Sequence, residues 1–430
     1  MYINYLKDLI GFKSVTPESD GAIEYIDDLL KKHGFKTEIK IFGDSKSEQV
    51  TNLYAVFGSN EPNICFVGHV DVVSAGNHKL WNNASPFKSH EQDGKIYGRG
   101  AVDMKGAIAC FLAAGLDFIK NNTDFKGSVS FLLTSDEEGK AKHGTKEMLQ
   151  YIRNQGYKID FAVVGEPTCE KEIGDTIKIG RRGSVNFKLN IEGLAGHVAY
   201  PHKANNPLPC LIRILNELTN VKLDEGTRPL RKLAYREEFE GDTERRTAVY
   251  TSVREDSSTG STYKLPLEVE FPKRSNEFFQ SSNLEVTNID VGNNTLNVIP
   301  ASTEAFFNIR FNNLHSAETL AKQVEEIIKQ NCKEYKVDYK LEYSSSAESF
   351  IQNPSDKIKE FAKVVEHTLK IKPEFSTSGG TSDARFVKNY CPLVEFGLLS
   401  ETAHKINEYT KISDLQKLYD VYYNFLMEIL

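Results

Sequence analysis

Cysteine is sparse and scattered: six thiols in 430 residues, at positions 65, 110, 169, 210, 332 and 391, with no CxxC pair. That spacing excludes a disulfide framework and a thiolate zinc site, so any metal must be held by His and carboxylates. A surplus of positive charge is also missing, because 53 Lys and Arg face 60 Asp and Glu for a net charge of −7. Nucleic acid is therefore not an expected partner. No run approaches the ~18 apolar residues of a membrane span. The longest nearly uncharged apolar stretch covers only residues 106–116. The opening MYINYLKDLIGFKS carries charges inside its apolar stretch and lacks a small-residue cleavage site, which is the pattern of an amphipathic helix and not of a signal peptide. The expectation is a cytoplasmic protein of two or three domains, at ~100–200 residues each.

What is present is periodic. Apolar residues recur at helical spacing from Lys7 to Gly34, broken around Thr16-Pro17, so two helices open the chain. Three short runs rich in β-branched and aromatic residues follow, at 64–67, 129–133 and 161–164, the length of buried strands. Between the first two, residues 107–118 are small and apolar, suiting a helix packed closely on a sheet. Alternation at 185–191 and 305–311, with helical stretches at 208–218 and 317–332, predicts a smaller α+β domain in the middle. Residues 355–369, 393–396 and 413–430 then read as a second α/β segment. One stretch differs in composition: seven of the fourteen arginines lie from Arg228 to Arg274. It reads as an insertion at about 228–273, either a partner-binding arm or, in the ordinary case, a solvated loop.

The chemistry-bearing residues sit where the apolar runs stop. Residues 64–67 lead into Gly68-His69-Val70-Asp71, and residues two apart in a strand face one side, so His69 and Asp71 point together. A carboxylate so placed can hold a metal-bound imidazole in one tautomer. Asp103 lies among three glycines in GRGAVDMKG, ahead of the small-residue helix that it could alternatively cap. Residues 129–133 end in Thr134-Ser135-Asp136-Glu137-Glu138-Gly139, three consecutive acids that repel unless a cation, a proton or a helix N-terminus offsets them. Adjacent glutamates point different ways, so one can ligate a metal while its neighbour acts as general base. Residues 161–164 likewise end in Gly165-Glu166. Singly, each motif has an ordinary reading as a turn, a cap or a surface acid. Together they place one His and several carboxylates at strand ends, where α/β sheets collect ligands, in a donor mixture suited to zinc or a similar ion.

The ordered motifs GHVDVV, GRGAVDMKG, TSDEEG, GEPT, GRRGS, GHVAYPHKANNP, NVIP, SGGTSDARF, EFGL and HKINE resemble the M20 family of dizinc aminoacylases and peptidases. The resemblance covers nearly the whole chain outside the 228–273 insertion. It implies a discontinuous catalytic α/β domain with a central mixed sheet, residues 1–182 and 347–430, and an inserted α+β, ferredoxin-like dimerisation lid, residues 183–346. It implies two zinc ions per subunit, replaceable by cobalt: His69 and Glu166 on one, Glu138 and His404 on the other, Asp103 bridging. Glu137 becomes the general base, Asp71 the orienter of His69, and the peptide bond after Asp103 is expected to be cis. His197 would reach the active site of the partner subunit of a homodimer and stabilise the oxyanion. Arg181, Tyr200, Asn297, Arg310, Gly380 and Thr381 match substrate-binding positions. The later motifs imply hydrolysis of the small molecule N-succinyl-LL-2,6-diaminopimelate to succinate and the diamino acid precursor of lysine. Open alternatives are a sister amidohydrolase acting on acetylornithine or another N-acyl amino acid, and a metal-binding homologue without activity. Covalent acyl transfer lacks support, since no G-x-S-x-G occurs.

Overall fold

A computed structural model describes residues 1–82, 85–224 and 278–430, so the expected insertion at 228–273 lies outside the described residues. The chain divides into two compact units, Met1–Asn186 with Ser344–Leu430, and Phe187–Tyr343.

The first unit is built on an eight-stranded mixed sheet. Its spatial order is Lys36–Phe42, Val50–Gly58, Ser128–Thr134, Asn63–His69, Phe161–Val164, Leu393–Glu395, Thr176–Lys178 and Glu374–Ser376. Four neighbours in the middle, from Ser128–Thr134 to Leu393–Glu395, run parallel. Both faces of these strands are covered, which is why they read as continuous apolar runs instead of alternating. The alternation persists in their contacts. Phe66 stacks on Phe111 of the helix Lys105–Asn121 at 4.7 Å between ring centroids and meets Tyr422 of the closing helix Ile412–Ile429 at 6.0 Å. Cys65 and Val67 point the other way, into a core with Met148, Leu149 and Ile152 of the helix Thr145–Asn154. Each large apolar side chain so buried contributes roughly 1.5–3 kcal/mol. Gly106 shows why the helix Lys105–Asn121 opens with small residues: a Cβ there would lie 2.4 Å from the Ala101 carbonyl oxygen.

Parallel direction decides where function can sit. Because the central strands run together, their carboxyl ends meet at one edge, and the register aligns His69 with Thr134 and Val67 with Val164. The segments after Thr134 and Val164 therefore emerge beside His69.

The second unit has the strands Gly183–Glu192, Asn283–Asp290, Ser302–Phe311 and Asp338–Ala347, in the spatial order second, third, first, fourth, with helices Leu208–Asn220 and Ala317–Tyr335. This βαββαβ arrangement is ferredoxin-like. Residues along Ser302–Phe311 alternate between buried and more exposed, the pattern of a sheet packed on one side. The helix Ala317–Tyr335 starts at a capping box made by Ser316 and Thr319. A short separate ribbon pairs Gly196–His197 with Val298–Ile299. Among the described residues, no helix is long and apolar enough to cross a membrane.

Candidate metal centre

The edge of the sheet gathers two imidazoles and five carboxylates. His69 ends its strand and is 1% exposed. Its Nε2 lies 3.3 Å from Oδ1 of Asp103, 3.7 Å from Oε1 of Glu166 and 4.0 Å from Oε2 of Glu137. On the far side, His404 Nε2 lies 3.1 Å from the other Asp103 oxygen and 2.8 Å from Oε1 of Glu138. Asp103 thus stands between two His-carboxylate pairs, one oxygen facing each. It does not cap the following helix, whose N-cap is Met104 without a side-chain hydrogen bond. The Asp103-Met104 peptide is cis.

Local structure explains how acids tolerate this crowding. Asp136 turns away from the centre and accepts the backbone N–H groups of Lys140 and Lys142 at 3.0 Å and of His143 at 3.4 Å. A tight turn thus does for this acid what a helix terminus would do. The strand of His69 stops before Asp71, so the two do not simply share a strand face. His69 Nδ1 is 2.9 Å from the Asp71 carbonyl oxygen, and the Asp71 carboxylate is 3.5 Å away. That carboxylate also accepts the backbone N–H groups of Glu137 at 3.3 Å and Glu138 at 3.0 Å, holding the two glutamates in place.

The electrostatics report an excess of negative charge. Burial, then Glu166, push the Glu137 carboxyl well above its usual range, and burial with Asp103 pushes Glu166 up to about 8. Burial alone would depress His69, yet Asp103, Asp71 and Glu137 hold it well above its ordinary value. Hydrogen bonding to Asp103 and Glu138 raises His404 to about 10. Burial opposes ionisation of Asp103, but the two imidazoles pull it well below the usual carboxylate range. Three buried atoms, His69 Nε2, Asp103 Oδ1 and Glu166 Oε1, converge without a hydrogen-bond partner among the described residues. Such a cluster is costly unless a cation fills it. Two sets, His69 with Glu137 and Glu166, and His69 with Asp103 and Glu138, each bring possible ligand atoms within 4.8 Å of one another. Hard N/O donors in this mixture fit divalent zinc-like ions. A third set, Asp44, Glu48 and His143, differs because Lys142 and Lys140 already pair with its carboxylates.

Arg181 is committed. Its guanidinium pairs with the fully buried Glu395 and donates to the Gly380 carbonyl oxygen at 3.2 Å. Thr381 follows Gly380 on that loop. A Cβ on Gly379 would lie 2.8 Å from both the Arg181 guanidinium and Lys178 Nζ. Sequence reading overlooked Lys178, whose ammonium is held down to about 8 by burial and by Arg181. It overlooked Glu395 and Glu408 as well. In the second unit, His197 and Tyr200 are exposed, with ring centroids 5.7 Å apart, and the Asn297 carbonyl oxygen accepts the Val198 N–H at 3.2 Å. Those three lie on one ribbon and its flanks, whereas Arg310 lies half-buried on the four-stranded sheet. His197 Nδ1 accepts the Ala199 N–H at 3.1 Å, which leaves Nε2 to carry the proton.

Comparison with known proteins identifies the family. The profile of peptidase family M20/M25/M40 matches residues 65–428. The chain is 83% identical over 430 residues to the succinyl-diaminopimelate desuccinylase of Rickettsia africae (strain ESF-5) and 79% identical to that of Rickettsia akari (strain Hartford), with all of both chains covered in each case. Among solved structures, it resembles the aminopeptidase PepT of Bacillus cereus at 15% identity and a TM-score of 0.71, covering 100% of this chain and 98% of that one. It also resembles the Bacillus subtilis protein YXEP, described as a dinuclear metal-binding M20 peptidase, at 14% identity and a TM-score of 0.64, covering 100% and 98%. Those two likenesses concern the fold alone. Taken with the family profile and the full-length relatives, the chain belongs to the M20/M25/M40 peptidase family.

Proposed function

We propose that this chain hydrolyses the amide bond of N-succinyl-LL-2,6-diaminopimelate, releasing succinate and LL-2,6-diaminopimelate. Its full-length relatives at 79–83% identity carry the substrate assignment. The chemistry rests on one observation, the placement of the two Asp103 oxygens against His69 and His404. In this reading, His69 and Glu166 would hold one divalent ion, His404 and Glu138 would hold a second, and Asp103 would serve both. Zinc fits the donors, and cobalt can replace it. When bound, the ions supply Lewis acidity that polarises the amide carbonyl and makes water nucleophilic near neutral pH.

The remaining steps belong to the chain's own groups. Glu137 is close to the centre yet stands 4.0 Å from His69 Nε2, outside the nearest pairings. Ionised once cations offset its neighbours, it takes the proton of the attacking water and passes it to the leaving amine. Asp71 keeps that carboxylate aimed through the backbone bonds to Glu137 and Glu138. As the family resemblance implies, Arg181, Tyr200, Asn297, Arg310, Gly380 and Thr381 would bind the substrate, Arg181 acting through the Gly380–Thr381 loop that it holds. His197, donating from Nε2, would stabilise the oxyanion of a site on a partner subunit. A homodimer is supported by exposed apolar side chains on the second unit, including Leu194, Val198, Ile212, Ile289 and Leu296. The enzyme would work in the cytoplasm.

The test is amide hydrolysis by chelator-stripped protein during stepwise zinc addition, with N-succinyl-LL-diaminopimelate beside N-acetylornithine. Zinc-dependent preference for the succinyl substrate is expected. Preference for acetylornithine would keep the mechanism and overturn the substrate.

A further inference from the structure

Arg99 and Glu408 form a buried ion pair, 2% and 0% exposed, 2.7 Å apart and directly behind the candidate metal centre. Glu408 spends both oxygens on one loop. Its Oε1 accepts the backbone N–H groups of Val102 at 2.8 Å and Asp103 at 3.1 Å; its Oε2 accepts the Gly100 N–H at 3.0 Å together with Arg99. Arg99 reaches in the other direction, donating to the carbonyl oxygens of Lys405 at 3.2 Å, Ser74 at 3.3 Å and His404 at 3.4 Å. His404 itself holds a left-handed backbone, φ 62°, uncommon for a residue other than glycine. One carboxylate therefore grips the backbone that carries Asp103, and its partner grips the backbone that carries His404.

A buried ion pair is a poor way to gain stability, because desolvation offsets most of the attraction and an apolar pair would serve as well. Here the surrounding donors demand an anion and the surrounding carbonyls demand a forked cation. We propose that Arg99 and Glu408 are positioning residues that set the spacing between the Asp103 carboxylate and the His404 imidazole, and with it the affinity for the second divalent ion. This inference rests on the ligand assignment of the preceding section. Residues behind metal ligands typically govern metal affinity by 10–100-fold. Glu408→Gln replaces one acceptor with an NH₂ group that faces two donors, so half the grip is lost. Arg99→Lys keeps the charge but cannot span a carboxylate and three carbonyls.

The experiment titrates zinc into chelator-stripped, full-length wild type, Glu408→Gln and Arg99→Lys. It then measures kcat and KM at saturating zinc, the visible spectrum of the cobalt-loaded forms, and far-ultraviolet circular dichroism. In Glu408→Gln we expect one of two equivalents to bind about 10–100-fold more weakly, kcat to fall at least about tenfold with KM held within about twofold, and the cobalt spectrum to change. Arg99→Lys should move the same way by less. Wild-type zinc affinity, spectrum and kcat in Glu408→Gln would overturn the proposal, as would a drop in thermal midpoint alone. Should Glu408→Gln lack wild-type circular dichroism, the same readouts on Arg99→Lys decide. A wild type that binds fewer than two equivalents, or hydrolyses without metal, would instead overturn the ligand assignment itself.

Discussion

The two units hold their candidate site residues in opposite ways. At the sheet edge of the first, His69, Asp71, Asp103 and Glu166 are buried, and backbone hydrogen bonds fix the turns that carry Glu137, Glu138 and Asp103. In the second, His197, Tyr200 and Asn297 are exposed, on a ribbon of two paired residues per strand. A buried cluster keeps its donors in place without reorganisation, whereas an exposed ribbon has few neighbours to hold its side chains. The first arrangement supports charge stabilisation without reorganisation, and the second suits a group delivered from elsewhere.

The sharpest test of that contrast removes one group from each side. Glu137→Gln should leave both zinc equivalents bound, yet lower kcat about 10³-fold or more, since a positioned general base is worth ~10²–10⁴. Zinc stoichiometry by atomic emission beside single-turnover rates would check this, and lost zinc would recast Glu137 as a ligand. His197→Ala should also keep both ions and lower kcat by roughly 10²–10³, the usual range for an oxyanion donor. If the exposed ribbon serves a partner subunit, mixing the two inactive variants in equal amounts should restore up to about a quarter of wild-type turnover in the whole mixture, because about half the dimers are exchanged and each of those has one intact site of two. No recovery after verified subunit exchange would place His197 in its own chain's site.

Legibility in the sequence followed the same divide. The runs at 64–67, 129–133 and 161–164 predicted strands because burial on both faces leaves continuous apolar residues, and strand ends then pointed to His69, Glu137, Glu138 and Glu166. His404 was reached only by family resemblance. It lies in a polar loop 301 positions after Asp103, as the numbering shows, and local periodicity carries no trace of such a pairing. Glu408 and Glu395 escaped for a related reason. Each is an acid whose partner, Arg99 or Arg181, lies more than two hundred residues away, so only the folded sheet reveals the match. Asp71 shows a subtler limit: strand alternation placed it beside His69, and its carboxylate does lie 3.5 Å from His69 Nδ1, but the strand ends first and the same carboxylate also accepts the Glu137 and Glu138 backbone N–H groups, which alternation does not foretell.

A milder test asks whether the first unit's excess of negative charge is real. In metal-free protein, His404 is lifted to about 10 by its bonds to Asp103 and Glu138. A raised pKa means the folded state holds the proton more tightly. The resulting stability is fully present below about pH 6.5 and is lost as pH rises through about 10. With its imidazole partly exposed, screening reduces the effect to a few degrees in Tm. Metal-free wild type should therefore lose more stability between pH 6.5 and 10 than metal-free His404→Ala, as read by thermal melts. Parallel melting curves would show that the imidazole gains nothing from its acidic neighbours.

The smallest effect is expected where composition departs most. Deleting residues 228–273 and joining the ends with a short linker should leave turnover within a few-fold and the oligomeric state in sedimentation runs that of the full-length chain. The reason lies in the residues that bracket the segment. Asp224 is 3% exposed, and its carboxylate accepts the Ser282 N–H at 3.2 Å and lies 3.2 Å from His315 Nε2. The chain is thus pinned together on both sides of the stretch by a contact that the deletion keeps. A shorter connection between Asp224 and the residues after 277 is also easier to close, by only about 0.6 kcal/mol per halving of length, so entropy does not oppose the change. The aligned relatives span the same stretch over their full length, yet its presence there does not make it part of the chemistry. Asp224→Ala is the matched control: with the segment intact but the pin removed, it should destabilise the second unit by about 1–3 kcal/mol through unsatisfied buried groups. If instead the deletion changes the oligomeric state in sedimentation runs while Asp224→Ala does not, the segment itself is part of whatever surface the proposed dimer uses.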